Sequence, residues 1–314
     1  MKKGVVVSLV FVILLFITSI LPITQNSTIL ISATFDNTLP QIMQVKEWKN
    51  WYPEINEAFK HNPSDYSLEA DTGKKNYTIT VPGRQFIIHA ITPMSYQVSE
   101  VGSKWRGSFA FTAFPGDSPG KMNIYLVRKT SLLFTLLHRN EAGERAINGL
   151  KSFLENPKSF YGYEIEMSQI RDPIIASLVL RTNRKDIFLK IRAACGDLDK
   201  YIKTNDLMKT GPTSISYNPL SGDSIQVTVG YPINKLSVPG KNIKCLSLPG
   251  NGRVLVGIYE GKFSERKNIY LAMSKYLENH TLAPPAGPFE RYLNDSIPSS
   301  DSSIVKIELN YPVY

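Results

Sequence analysis

The residues able to carry chemistry are few and dispersed. His61, His89, His138 and His280 are the four histidines, and Cys195 and Cys245 the two cysteines. None stands at a ligand spacing from another, so no metal site is expected. A Ser-His-Asp set and a phosphate-cradling glycine loop are also missing, which leaves hydrolysis and phosphoryl transfer without an obvious carrier. No catalytic residue and no cofactor is assigned. Cys195 and Cys245 read as small apolar thiols of a compact region. What does cluster is aromatic. Trp48, Trp51 and Tyr52 crowd five positions ahead of Pro53. Such residues either plug a core or line a cavity for an apolar ligand, and the first use is the commoner.

Composition narrows the classes further. Hydrophobic residues make up 42% and charged residues 20%, a globular balance that excludes a disordered chain. The net charge of +9 comes from scattered lysines and arginines, as on a solvated basic surface. Charge alone gives only non-specific attraction to nucleic acid, and no DNA-reading motif accompanies it, so no nucleic-acid partner is expected.

At the N-terminus, Lys2 and Lys3 precede an uncharged, largely apolar run from Gly4 to Ile23. Twenty helical residues reach roughly 30 Å, the depth of a bilayer's hydrocarbon core. No small-x-small cleavage site follows. Residues 1–25 are therefore expected to form a transmembrane anchor, with the membrane as a partner. The flanking lysines place the N-terminus in the cytoplasm and the rest of the chain outside.

Residues 28–156 read as one domain. A β-branched strand over Thr28–Phe35 leads into a short helix over Gln41–Val45 and then the Trp48–Pro53 segment. Strand-like runs follow at 76–81, 86–92, 96–101, 105–115, 121–127 and 131–137. A helix over Glu141–Glu155 closes the domain, with Ala146, Leu150, Phe153 and Leu154 on one stripe. This order, with its W-x-x-W-Y-P segment and closing Gly149-Leu150-Lys151-Ser152-Phe153-Leu154-Glu155, resembles a START-like helix-grip domain. The resemblance implies a curved antiparallel sheet around the last helix and an apolar cavity between them, with Trp48 and Trp51 as candidate lining residues.

The remaining chain repeats itself. A helix over Asp186–Ile202 is followed by Gly211-Pro212, Tyr217 and a strand closing on Tyr231-Pro232-Ile233. A helix over Lys267–His280 is followed by Gly287-Pro288, Tyr292 and a strand closing on Tyr311-Pro312-Val313. Each copy opens with an extended segment, 164–182 and 243–260. The agreement marks a duplication over 160–314, with repeats of about 160–235 and 242–314. A helix on a small sheet covers one face only, so two such units side by side shelter a cleft. Ile187, Ile191, Ala194 and Leu198, and Ile269, Ala272, Met273 and Tyr276, form the inward stripes.

The duplicated pattern resembles the gyrase-inhibitor-like small-molecule-binding domain, also found as the effector-binding domain of multidrug-responsive transcription regulators. The segments that carry it are Val256–Phe263, Ala286-Gly287-Pro288-Phe289-Glu290-Arg291-Tyr292-Leu293-Asn294-Asp295, and Glu308–Val313. The resemblance implies a cleft between the repeats that holds planar, often cationic compounds beside a buried carboxylate. Glu290 and Glu308 become the candidate carboxylates, and Tyr259, Tyr292 and Tyr311 the candidate aromatic walls. Strand alternation puts Val305, Ile307 and Leu309 on one face and Glu308, Lys306 and Asn310 on the other, and that second face is either cleft or solvent.

The expected fold class is therefore α+β: a transmembrane helix, a helix-grip domain, and a duplicated effector-binding domain with pseudo-twofold symmetry. The expected function is a membrane-tethered carrier or sensor of small lipophilic or cationic molecules. The alternative is a hydrolase of electrophilic compounds that uses a cleft glutamate as base. The sequence names no protein partner.

Overall fold

A computed structural model describes residues 22–71, 73–102, 108–131, 142–248, 252–294 and 297–314. Most of the expected anchor, the expected strand beyond residue 131, and Asp295 lie outside the described residues. The fold class needs correction at its N-terminus. Among the described residues no helix is long and apolar enough to cross a membrane. Pro22–Gln25, counted above as anchor, instead open the strand β1, Pro22–Ile31. The local reason is composition: Ile23, Thr24, Thr28, Ile29 and Ile31 are β-branched and favour extended backbone. The architecture is two large antiparallel sheets with helices laid against them.

The chain divides into two compact units between Asn156 and Pro157. In the first, β1 is followed by the helices α1 (Phe35–Met43), α2 (Trp48–Trp51) and α3 (Pro53–His61). Thr34 caps α1 through its side-chain oxygen, so this helix begins six residues earlier than the expected one. Then come β2 (Ser67–Asp71), β3 (Asn76–Val81), β4 (Arg84–Thr92), β5 (Ser95–Val101), β6 (Ser108–Pro115), β7 (Met122–Ser131) and the helix α4 (Ala142–Glu155). The seven strands form one antiparallel sheet in the order β1-β7-β6-β5-β4-β3-β2. Helix α4 rests on β1, β6 and β7 through Gly143, Ala146, Ile147, Leu150 and Leu154. Gly149 brings α4 against α2, because a Cβ there would strike the Trp51 carbonyl oxygen.

The second unit opens with the short helix α5 (Pro157–Tyr161). Its strands are β8 (Ile165–Gln169), β9 (Ile174–Asn183), β10 (Ser214–Pro219), β11 (Ser224–Pro232), β12 (Ile243–Ser247), β13 (Arg253–Lys262), β14 (Phe289–Tyr292) and β15 (Ile304–Val313). Helix α6 (Ile187–Thr204) follows β9, and α7 (Lys267–Asn279) follows β13. The sheet order is β12-β9-β11-β10-β14-β15-β13-β8. Read from either end, that order places equivalent elements at equivalent positions. Each repeat contributes an outer strand, a strand, a helix and two further strands, and lends its outer strand to the other repeat. The centre is the β10–β14 pair, where Ile215 stands across from Glu290.

One face of this sheet carries both helices. A Cβ at Gly257 of β13 would lie 2.5 Å from the Met273 sulfur, so glycine here lets α7 approach. Ile187, Ile191, Ala194 and Leu198 of α6 join Ile269, Met273 and Leu277 of α7 in one apolar cluster that runs across both repeats. Ala272 and Tyr276, placed on the inward stripe by periodicity, are only half-buried, whereas Leu277 is buried.

Candidate functional site

Register decides which candidates meet. Glu290 lies opposite Leu309, and Tyr292 opposite Ile307. Tyr259 lies opposite Ile307, and Leu255 opposite Tyr311. Residues directly opposite in an antiparallel pair share a face, so Glu290, Tyr292, Tyr259 and Tyr311 all point to the helix side. Glu308 lies opposite Arg291 and points to the other side.

On the helix side Glu290 has no exposed surface, yet it is a carboxylate. Burying a charge is tolerated when partners replace the lost water. Here Oε1 accepts from Arg266 Nε at 2.8 Å and from the Tyr270 hydroxyl at 2.6 Å, and Oε2 accepts from the Tyr292 hydroxyl at 2.6 Å. The Tyr292 and Tyr217 hydroxyls are 3.0 Å apart. These two tyrosines are the equivalent strand residues of the two repeats, so a residue from each copy reaches the central seam. The Arg266 guanidinium also donates from Nη1 to the Phe263 carbonyl at 3.0 Å. It lies 3.5 Å from the centre of the Phe263 ring and 4.9 Å from that of Tyr217.

The electrostatics follow from this packing. Burial opposes the Arg266 charge, but the Glu290 carboxylate, together with Tyr217 and Tyr292, outweighs it and raises the guanidinium pKa. Burial first, and the Glu290 charge after it, push the Tyr217 and Tyr270 hydroxyls above their ordinary value. Tyr292 is raised by burial, then by Tyr217 and Glu290. The cluster therefore sets three phenols kept neutral by burial beside the Arg266–Glu290 ion pair. Glu290 Oε1 accepts two internal hydrogen bonds and Oε2 one, so the carboxylate is held in place by its neighbours.

The remaining candidates are placed differently. Tyr259 is buried on the same face, and its hydroxyl donates to the Lys262 carbonyl at 2.6 Å. Tyr311 meets the cluster only at its edge, with its ring 6.5 Å from that of Tyr270. On the opposite face, Glu308 accepts from Arg291 Nη1 at 2.9 Å, while Arg291 Nη2 donates to Asp172 Oδ2 at 2.6 Å. Asn310 donates to Glu308 Oε1 at 3.2 Å. These groups border a hollow of about 20 Å³, the room one water needs. In the first unit, Trp48 and Trp51 are buried, and their ring N–H groups donate to the carbonyls of Ile42 and Gln41 at 3.0 Å each. Tyr52, Tyr96 and Phe111 pack around Trp48, so at this point side chains fill the interior.

Arg266 and Tyr270 are not among the residues expected from the sequence, and Tyr217 is expected there only as a mark of the repeat. A signal was present for each. Arg266 and Tyr270 are four residues apart at the start of a helix and so share a side. Tyr217 occupies in the first repeat the position of Tyr292 in the second. Arg291 and Asp172 carried no comparable signal.

No family model matches the chain, and no curated protein matches it. Among solved structures, the EcmrR C-terminal domain is similar at 18% identity over 48% of this chain and 98% of that one, with a TM-score of 0.42. EcmrR in a complex with DNA overlaps 58% of this chain and 75% of its own, at 15% identity and a TM-score of 0.41. A START superfamily protein from Mycobacterium smegmatis overlaps 42% of this chain and 97% of its own, at 11% identity and a TM-score of 0.30.

Proposed function

We propose that this chain is a small-molecule-binding protein whose second unit takes flat, apolar organic cations at Glu290. One observation carries the reading. A carboxylate with no exposed surface sits at the junction of two repeats, ringed by Tyr217, Tyr270 and Tyr292. A charge buried at such a cost is retained where it serves a cation, and aromatic faces add to the attraction. Because Glu290 is wholly buried, a ligand reaches it only by parting the side chains around the carboxylate, and affinity reflects that cost.

The test uses rhodamine 6G, a planar organic cation, titrated into the full chain and followed by fluorescence anisotropy. Saturable binding is expected for the wild type and for E308Q. Glu290→Gln removes the buried charge and should weaken binding at least about tenfold, equivalent to ~1.4 kcal/mol. Equal binding by E290Q and wild type would overturn the assignment.

A further inference from the structure

Arg266 occupies a costly position. It immediately precedes α7, and cations are disfavoured at a helix N-terminus, where the macrodipole is positive. The first turn of α7 holds no acidic residue to offset it. The side chain is one-fifth exposed, whereas the carboxylate it covers is wholly buried. The guanidinium thus stands as a plug between solvent and Glu290.

The slot around it has a definite chemistry. Phe263 and Tyr217 supply aromatic faces, Glu290 Oε1 accepts from Nε, and the Phe263 carbonyl accepts from Nη1. Two acceptors set to receive different N–H groups of one flat cation match a guanidinium or amidinium fork. A quaternary ammonium or phosphonium has no N–H, so the Phe263 carbonyl would lose its side-chain donor and Glu290 Oε1 would keep only the Tyr270 hydroxyl, a loss that hydrogen-bonding sites punish.

We infer that the Glu290 site recognises guanidinium- or amidinium-bearing aromatic molecules, and that Arg266 is a tethered surrogate which the ligand's own cation displaces. This rests on the ligand-binding reading of Glu290 above, and it adds the ligand's functional group and the device that closes the site. Displacement reduces apparent affinity by the fraction of molecules in which Arg266 has swung out.

The experiment compares phenylguanidinium with phenyltrimethylammonium on the full-length wild type, R266A and R266A/E290Q by calorimetric titration. R266A should bind phenylguanidinium about tenfold more tightly than the wild type does, the closed fraction having been removed. It should also prefer phenylguanidinium over phenyltrimethylammonium by a similar factor, and R266A/E290Q should lose both gains. Equal affinity of R266A for the two cations, or no gain over the wild type, overturns the inference. Thermal melting covers the case in which R266A folds poorly. Millimolar methylguanidinium should then restore a cooperative transition to R266A and not to R266A/E290Q, and failure to restore it counts against the inference. The two readings fail separately. Rhodamine binding through Glu290 without guanidinium selectivity in R266A removes only the surrogate, whereas selectivity without rhodamine binding removes only the lipophilic-cation reading.

Discussion

Glu290 and Glu308 lie on neighbouring strands of one sheet and point to opposite faces, Glu290 standing across from Leu309 and Glu308 across from Arg291. They cannot meet the same ligand. Glu290 belongs to a buried tyrosine cluster under the helices, and Glu308 to an ion-pair triad on the far side. Their roles are therefore separable by mutation.

Tyr292→Phe keeps the ring and deletes one hydroxyl. It removes the donor to Glu290 Oε2 and the neighbour of the Tyr217 hydroxyl. A buried carboxylate oxygen left unsatisfied costs about 1–3 kcal/mol. Chemical denaturation should show that loss, and a variant as stable as the wild type would mean that water replaces the hydroxyl.

Arg291 holds Asp172 and Glu308 together from 2.6 and 2.9 Å. Arg291→Met leaves two carboxylates without their shared cation. The cost should reach about 2–4 kcal/mol, somewhat below that of a fully buried pair because Asp172 keeps some solvent contact. A cycle that adds E308Q should recover part of the loss. Strict additivity would show that the pair is uncoupled.

Gly149 has no room for a side chain. A Cβ would strike the Trp51 carbonyl and lie 2.9 Å from Pro53 ring atoms, and the carbonyl belongs to backbone, which yields poorly. Gly149→Ala should lower stability by about 1–3 kcal/mol despite alanine's better helix propensity. Gly196, on α6, has nothing near its would-be Cβ. Gly196→Ala should stabilise the protein by up to about 1 kcal/mol. Equal shifts in melting temperature for the two would contradict the packing described.

Alkaline titration gives a signed prediction. Burial raises the Tyr217, Tyr270 and Tyr292 pKa values above 10, and that of Tyr96 to about 12. A raised folded-state pKa means that the folded chain keeps protons the unfolded chain releases. Stability from this source is complete below pH 10 and is lost as pH climbs from 10 towards the folded values. Absorbance at the phenolate band should show a fraction of the tyrosines ionising only with unfolding, detected in parallel by circular dichroism. Smooth titration of every tyrosine near its free value would refute the burial.

Much of the fold could be read from local pattern. The alternation at 76–81 coincides with β3, and the periodicity at 141–155 finds α4, because both signals repeat within one element and need no distant partner. The N-terminal stretch shows the limit of such reading. The expected anchor reached residue 25, yet Pro22–Gln25 open a strand that extends along β7, and pairing across about a hundred residues leaves no local mark. In the site, Tyr217 and Arg266 were within reach of the repeat and of helix spacing, whereas the Asp172–Arg291–Glu308 contact joins three segments that share no pattern.

By itself the amino-acid order determined the duplication, the helix stripes and the pairing of each Gly-Pro with a tyrosine strand, since these are periodic properties of the chain. Only the tertiary structure decided that Glu290 and Glu308 are both buried, on opposite faces, and what encloses each. Period-two alternation separates the faces of a strand but does not say what covers each face. That depends on the register placing Glu290 opposite Leu309 and on α7 delivering Arg266 and Tyr270 over it.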